Sequence, residues 1–226
     1  MISLVKSLLR RRRERRLARL SAQDIFTRYY RRNSWGDPES VSGKGSNLAV
    51  TEALRAALPD LLRRHEVGSI LDVPCGDFNW MQHVDLGGVD YLGGDIVADL
   101  IAENQRKHAG PGRRFAVVNL ISDSLPKADL IFTRDCLVHL SFADGLAALA
   151  NIKQSGARYL LATNFPATRE NADILTGQWR AIDLCKAPYN FPPPREVIDE
   201  KFRKADGSHS DKSMALWAIA DLPLLG

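Results

Sequence analysis

The sequence predicts an α/β domain in which a mostly parallel sheet is covered by helices on both faces. Three observations point there. From residue 47 to residue 163 short apolar runs alternate with helical segments, the pattern of parallel strands joined by crossover helices. Within it, Ser69–Ile96 holds an apolar run, a glycine turn and a second apolar run closing on Asp95, 23 residues beyond Asp72. That is the spacing of a βαβ nucleotide site. Beyond residue 164 the pattern turns irregular, with Asn164-Phe165-Pro166, Trp179-Arg180 and Pro188 to Pro194, and it is past the carboxyl ends of its strands that an open α/β sheet binds ligands.

Each element has its own signal. A helix is expected over Ile2–Ile25, followed by a glycine- and serine-rich loop from Asn33 to Ser46. The next helix spans Asn47 to His65, with Leu48, Leu54, Leu58, Leu61 and Leu62 on one face; Pro59 should kink or break it. The first strand, Ser69 to Val73, has the length and β-branched content of a buried strand and is broken by Pro74-Cys75-Gly76-Asp77. A short aromatic helix at Phe78–His83 leads to the second strand, Val89 to Ile96. A helix over Val97–His108 stops at Gly110-Pro111-Gly112. The third and fourth strands lie at Phe115–Val118 and from Asp129 onward. A helix from Phe142 to Gln154 is stopped by Gly156, and the fifth strand is Arg158 to Thr163. Ala181-Ile182-Asp183-Leu184 and Met214 to Ile219 are the candidates for strands six and seven.

Size and composition narrow the class. A chain of 226 residues buries a full core yet stays below the size at which cores split. Cys75, Cys136 and Cys185 are widely spaced, odd in number and free of any Cys-x-x-Cys or His cluster, which favours a reducing, cytoplasmic setting and no metal. No apolar run approaches the roughly 20 residues of a membrane span. Charge is divided unevenly. Residues 1–32 carry eleven Lys and Arg against Glu14 and Asp24, a net +9, so the remaining 194 residues carry −5. The organisation expected is therefore a basic extension, residues 1–32, before a domain at 33–226. The domain lacks the basic stripe of a nucleic-acid enzyme. Ile2, Val5, Leu8 and Leu9 share a helical face beside Lys6 and Arg10–Arg13, a pattern that suits peripheral membrane contact through residues 1–20. A transit peptide, an RNA-binding arm and a solvated tail are the competing readings.

The glycine turn departs from a dinucleotide site. A phosphate cradle takes G-x-G-x-x-G, whereas here Gly76 is flanked by Pro74 and Asp77, with Phe78 and Trp80 following. A pyrophosphate would meet an acid and two rings. An acid-bordered turn suits a ligand with an ammonium and a sulfonium beside an adenosine. In Leu71-Asp72-Val73-Pro74-Cys75-Gly76-Asp77 followed by Asp95, the chain resembles the class I S-adenosylmethionine-dependent methyltransferases. The family motif reads acid-x-Gly-x-Gly-x-Gly; its glycines map onto Pro74, Gly76 and Phe78, so the middle one alone is kept. Asn119 ends the third strand where the family meets adenine, and Asp129 to Leu140 resembles its fourth strand running into a helix.

The resemblance implies a seven-stranded, mostly parallel Rossmann-like sheet with an antiparallel last strand, and S-adenosylmethionine as cofactor. Asp72, Gly76 and Asp77 would take the methionine end, Asp95 the ribose, Asn119 the adenine, and Arg134 would lie beside them. Trp35, Ser42, Gly43, Gly45 and Ser46 combine an aromatic, flexible glycines and hydroxyls ahead of a helix N-terminus. They either close over the cofactor or form a linker capped by Ser46 or Asn47.

For chemistry, a helix starting near Asp135 would set Asp135 and His139 on one face. His139 is then a candidate base for a hydroxyl acceptor, oriented by Asp135. The alternative is that Asp135 caps the helix and His139 packs under the cofactor. Cys75 needs no nucleophilic role, because direct displacement forms no covalent intermediate. Asn164, Trp179, Tyr189 and Asn190 offer amides and aromatic faces to an acceptor, which suits a saccharide or another small hydroxylated molecule. O-methylation of such an acceptor is the expected activity. An RNA or protein methyltransferase recruited by the basic segment, and an NAD(P)-binding oxidoreductase, are the alternatives.

Overall fold

The computed structural model describes residues 14–223, apart from Arg16 and residues 203–206. Seven strands form one sheet: β1 (Ser69–Asp72), β2 (Asp90–Asp95), β3 (Arg113–Val117), β4 (Leu130–Thr133), β5 (Tyr159–Asn164), β6 (Glu196–Asp199) and β7 (Ser213–Ala218), in the order β3-β2-β1-β4-β5-β7-β6. Strands β1 to β5 are parallel, and β7 runs antiparallel to both β5 and β6. All four residues of β4 are buried, as are the last three of β1, because helices cover both faces. On one face α2 (Glu52–Arg64) packs Leu54, Leu58, Leu61 and Leu62 against Ile70, Leu130 and Phe132, joined by Ile101 of α3 (Ala98–His108). On the other, α4 (Phe142–Gln154) packs Ala148, Leu149 and Ile152 against Leu71, Ile131 and Leu160.

Four expectations change. Pro59 sits inside α2 without ending it: a mid-helix proline costs about 3 kcal/mol, while each of four buried leucines contributes about 1.5–3 kcal/mol. The aromatic segment Phe78–His83 forms only a 3₁₀ turn at Met81–His83, with Phe78 and Trp80 buried. Strand six is Glu196–Asp199 rather than Ala181–Leu184. In the latter, Ile182 and Leu184 are buried, but the backbone is satisfied without a ladder: Leu184 N–H donates to Asn164 Oδ1 (2.7 Å), Asp183 N–H to Asn171 Oδ1 (2.9 Å) and Phe165 N–H to the Ile182 carbonyl (2.8 Å).

The fourth change concerns the N-terminus. Of the helix expected over Ile2–Ile25, residues 1–13 lie outside the described residues. Helical backbone at Glu14, Arg15 and Leu17 gives way to turns at Ala18 and Arg19, and Ser21 then caps a new helix, α1 (Ala22–Arg31), accepting from Asp24 N–H at 3.1 Å. Helix α1 belongs to the domain. Ile25 is buried against Gly177, whose φ of +92° leaves no room for a Cβ beside Ile25. Tyr29 donates to the Gly177 carbonyl (2.8 Å), Tyr30 to Glu103 (3.1 Å) and Arg31 to Asp99 (2.9 Å). The boundary drawn at residue 32 thus falls inside a packed unit. No helix among the described residues is long and apolar enough to cross a membrane.

Ile25→Ala is expected to cost about 2–4 kcal/mol, read from the urea denaturation midpoint; an unchanged midpoint would show α1 to be an independent appendage.

Candidate functional site

The strand order reverses between the adjacent parallel strands β1 and β4, whose connections lead to β2 on one side and β5 on the other, and the crevice at such a switch point is where α/β folds bind ligands. Here it is a cavity of about 150 Å³, partly open to solvent. Its walls come from the residues just past β1 to β4: Asp72 to Gly76, Asp95 to Val97, Val118 to Ile121, and Arg134 to Cys136 with His139 and Leu140.

The β1 turn is left-handed at Gly76 (φ +56°), and a Cβ there would overlap the Ser42 hydroxyl. Both chains can therefore meet only at a glycine. Asp95 ends β2 facing back over this turn: Oδ2 accepts from Gly76 N–H (3.3 Å) and Oδ1 from Val97 N–H (2.9 Å). Burial pushes its carboxyl up to about 6, against the pull of those N–H groups. Asp72 is held by the Tyr91 hydroxyl at 2.5 Å, and burial pushes it up to about 7 against that bond. Asn119 lies on the wall past β3, its Oδ1 accepting from Ile121 N–H (3.0 Å). Ile96, Val97, Leu100, Val118 and Leu120 supply an apolar slot between Asp95 and Asn119.

Past β4 the arrangement differs from the expected helix. Asp135 has φ +54° and is followed by a 3₁₀ turn, Leu137–His139, so the two residues do not share a helical face. Asp135 instead pairs with Lys212 at 2.5 Å and Arg134 at 3.4 Å. Burial pushes its carboxyl up, but the Lys212 ammonium and Arg134 guanidinium outweigh it and hold it at about 2, too acidic for a base. Arg134 also makes a buried pair with Glu200 (2.5 Å) and lies over Trp80 (5.5 Å), so its guanidinium is committed before any ligand arrives. His139 is oriented by the Gln178 carbonyl, 2.8 Å from Nδ1. A carbonyl only accepts, so Nδ1 carries the proton and Nε2 keeps its lone pair. Burial pulls the imidazole pKa down, which leaves it neutral near pH 7.

The loop ahead of α2 folds over the β1 turn. Trp35, Ser42 and Ser46 line the cavity, while Gly43 packs on Trp35 and Gly45 approaches Asp135. Asp77, expected at the cofactor, instead latches this loop: its carboxylate accepts from the Ser40 hydroxyl (2.8 Å), Val41 N–H (2.9 Å) and the Ser42 hydroxyl (3.2 Å). Asn79 Nδ2 adds a bond to the Ser46 carbonyl (3.0 Å). Trp35 is 38% exposed, 6.2 Å from the His139 ring and 5.5 Å from Tyr29.

The acceptor residues expected after β5 are not gathered into the cavity. Asn164 is buried against Asp183 and Leu184. Tyr189 is buried in the core, accepting from Arg180, because the α4 face needs a large ring beside Phe142. Asn190 is an exposed turn residue at φ +51°. Trp179 is 43% exposed and packs edge-on against Phe165 and His209. Phe26 and Tyr30 of α1 line the cavity instead; their signal was the aromatic pattern within a segment that charge alone marked as an extension. Burial pushes the Cys75 thiol up and the Cys136 thiol up to about 12, so neither is a nucleophile.

The sheet order, the antiparallel β7 and the cavity at the β1/β4 switch define the Rossmann-like fold of the class I methyltransferases. Among solved structures the chain is similar to magnesium protoporphyrin IX methyltransferase of Synechocystis PCC 6803 with bound S-adenosylmethionine (TM-score 0.56, 15% identity, covering 88% of this chain and 97% of that one). It is also similar to human N-acetylserotonin methyltransferase (0.54, 14%, 88% and 60%) and to the Burkholderia thailandensis 1,6-didemethyltoxoflavin-N1-methyltransferase (0.54, 17%, 75% and 78%). The chain thus spans less than two thirds of the human enzyme. No protein-family profile and no curated protein sequence matches it.

Asp72 and Asp95 are raised above an unfolded carboxyl, so the folded protein holds protons that the unfolded chain releases. Their contribution is fully present below about pH 4 and is lost as pH rises through about 6 to 7. Asp72→Asn removes one such anion and keeps an acceptor for Tyr91. The ligand-free variant should melt above wild type at pH 8, with the gap closing by pH 5; a gap independent of pH would contradict the buried-anion reading.

Proposed function

We propose that the protein is an S-adenosylmethionine-dependent methyltransferase that O-methylates a saccharide or another small hydroxylated acceptor by direct displacement. The observation that carries this reading is the series Asp72, Gly76, Asp95 and Asn119 on successive strand ends around one cavity. The residues fit the cofactor. Two buried carboxylates with raised proton affinity suit donors that arrive with the ligand, and the apolar slot between Asp95 and Asn119 suits a flat base. Asp95 would accept from the ribose hydroxyls, Asp72 would face the ammonium, and Asn119 would meet the adenine edge. When bound, S-adenosylmethionine supplies a methyl group on a positively charged sulfur, open to attack by a nucleophilic oxygen.

The chain's own residues account for the other half of the reaction. Neutral His139, with Nδ1–H on the Gln178 carbonyl, leaves Nε2 to take the acceptor hydroxyl proton as the oxygen attacks. Asp135, held ionised by Lys212, keeps a negative charge beside the imidazolium that forms. Trp35 at the mouth covers His139 and offers an indole face to the acceptor. His139 as base is what favours a hydroxyl acceptor.

Losing a charged hydrogen-bond acceptor costs roughly 1.5–3 kcal/mol. Asp95→Ala should therefore weaken S-adenosylmethionine binding in calorimetry more than tenfold with the fold intact. His139→Ala should lower turnover about 10²–10⁴-fold with cofactor affinity unmoved. Unchanged affinity in Asp95→Ala, or tight NAD binding, would sink the assignment.

We also propose that residues 1–20 hold the protein near anionic membrane surfaces, on the strength of the +9 charge of residues 1–32. Each basic residue contributes about 1 kcal/mol at such a surface. Full-length protein should sediment with phosphatidylserine vesicles at low salt and a form lacking residues 1–20 should not; equal sedimentation of the two rejects the anchor.

A further inference from the structure

Arg180 is a buried cation whose surroundings its own stability does not explain. It is 7% exposed, and among the described residues no carboxylate lies within ion-pair distance of it, the Asp173 charge acting from farther away. Its Nη1 donates to the carbonyls of Leu140 (2.7 Å) and Leu137 (3.2 Å), with Val138 at 3.5 Å, and Nη2 donates to the Tyr189 hydroxyl (2.9 Å). Nε has no partner. The guanidinium lies over the Phe142 ring at 5.1 Å. A buried charge held in this way costs more than an apolar side chain of the same volume, so its retention calls for another reason.

The carbonyls it gathers all belong to one turn, Leu137–Leu140, and that turn carries His139. The rest of the Gly177–Arg180 segment closes on the same turn: Gly177 N–H donates to the His139 carbonyl (2.8 Å), Arg180 N–H to the Val138 carbonyl (3.0 Å), and His139 Nδ1–H to the Gln178 carbonyl (2.8 Å). We propose that Arg180 is a positioning residue that clasps the Leu137–Leu140 turn and so holds the His139 ring with Nδ1–H on the Gln178 carbonyl. The inference rests on the reading of His139 as the base. It assigns the orienting role to Arg180 and the Gln178 carbonyl rather than to Asp135.

The charged groups around His139 pull in both directions. Burial is the main effect against protonation, with Lys212, entering β7, and Arg180 adding to it; the Gln178 carbonyl and Asp135, past β4, favour protonation. Removing Arg180 deletes one opposing charge and the fork that fixes the turn.

The test is a nitrogen-15 histidine titration of the full-length protein, which reads tautomer and proton affinity without acceptor or turnover. Wild type should show His139 as the Nδ1–H form, titrating below an ordinary histidine. In Arg180→Met the Nε2–H form of His139 should appear beside the Nδ1–H form, and Arg180→Lys, which keeps the charge without the fork, should also lose the single tautomer. Ile182→Val, a change in the same core, should leave the single tautomer unchanged. An unaltered His139 in folded Arg180→Met overturns the proposal, as does an equal shift in Ile182→Val. Should Arg180→Met fail to fold, Arg180→Lys carries the test, since it keeps the charge and loses the fork on the turn carbonyls; a His139 that keeps its single tautomer there overturns the proposal. Failure of wild type to bind S-adenosylmethionine bears on the methyltransferase reading alone, because the titration is done without it.

Discussion

The reversal of strand order at β1 is the constraint on which the rest of the molecule depends. With β2 and β3 leaving on one side and β4 and β5 on the other, the chain segments past β1 and β4 must diverge, and a crevice opens between them. The residues proposed to hold the cofactor, and His139, border that opening. Strand β1 has no freedom in the matter, since both its neighbours are parallel and both its faces are packed.

Around the crevice the protein treats its carboxylates in two ways. Asp72 and Asp95 are buried and hydrogen-bonded by a hydroxyl and by backbone N–H groups, and burial raises both, with the Arg134 charge pulling Asp72 the other way. Asp135 is half-buried, and Lys212 and Arg134 hold it ionised. The first pair resembles a site waiting for donors on a ligand, while the second is finished before any ligand arrives. A fold selected for stability alone would replace the first pair, because an unpaired buried anion opposes folding.

Two straps complete the walls. The Asn33–Ser46 loop is drawn down by Asp77 and Asn79 and lies over the glycine turn. The Gly177–Arg180 segment wraps the turn bearing His139 and also receives α1 through Tyr29 and Ile25. Helix α1 and the His139 turn therefore share an anchor at Gly177, where a positive φ and the close approach of Ile25 both require glycine.

Signals that act over a few residues were legible in the sequence. The run Ser69–Val73 ending at Pro74, the acid 23 residues on and the stop at Gly156 are local facts of periodicity and turn chemistry, and β1, β2, β5, β7 and α4 stand where those facts put them. Asp72, Gly76, Asp95 and Asn119 meet in one cavity because parallel strands in register carry their ends to one edge. The sixth strand was hidden because Ala181–Leu184 is the more apolar segment, and its backbone is satisfied outside a sheet by side-chain amides of Asn164 and Asn171 and by the N–H groups of Phe165 and Phe191.

What the tertiary structure alone decided are pairings between distant residues: Lys212 rather than His139 as the partner of Asp135, across 77 positions, Asp77 as a latch for Ser40, across 37, and α1 docked on Gly177, across 148. Local period sets which face of an element is apolar; which charge meets which depends on where separate elements come to rest, and that is fixed by packing and not by spacing.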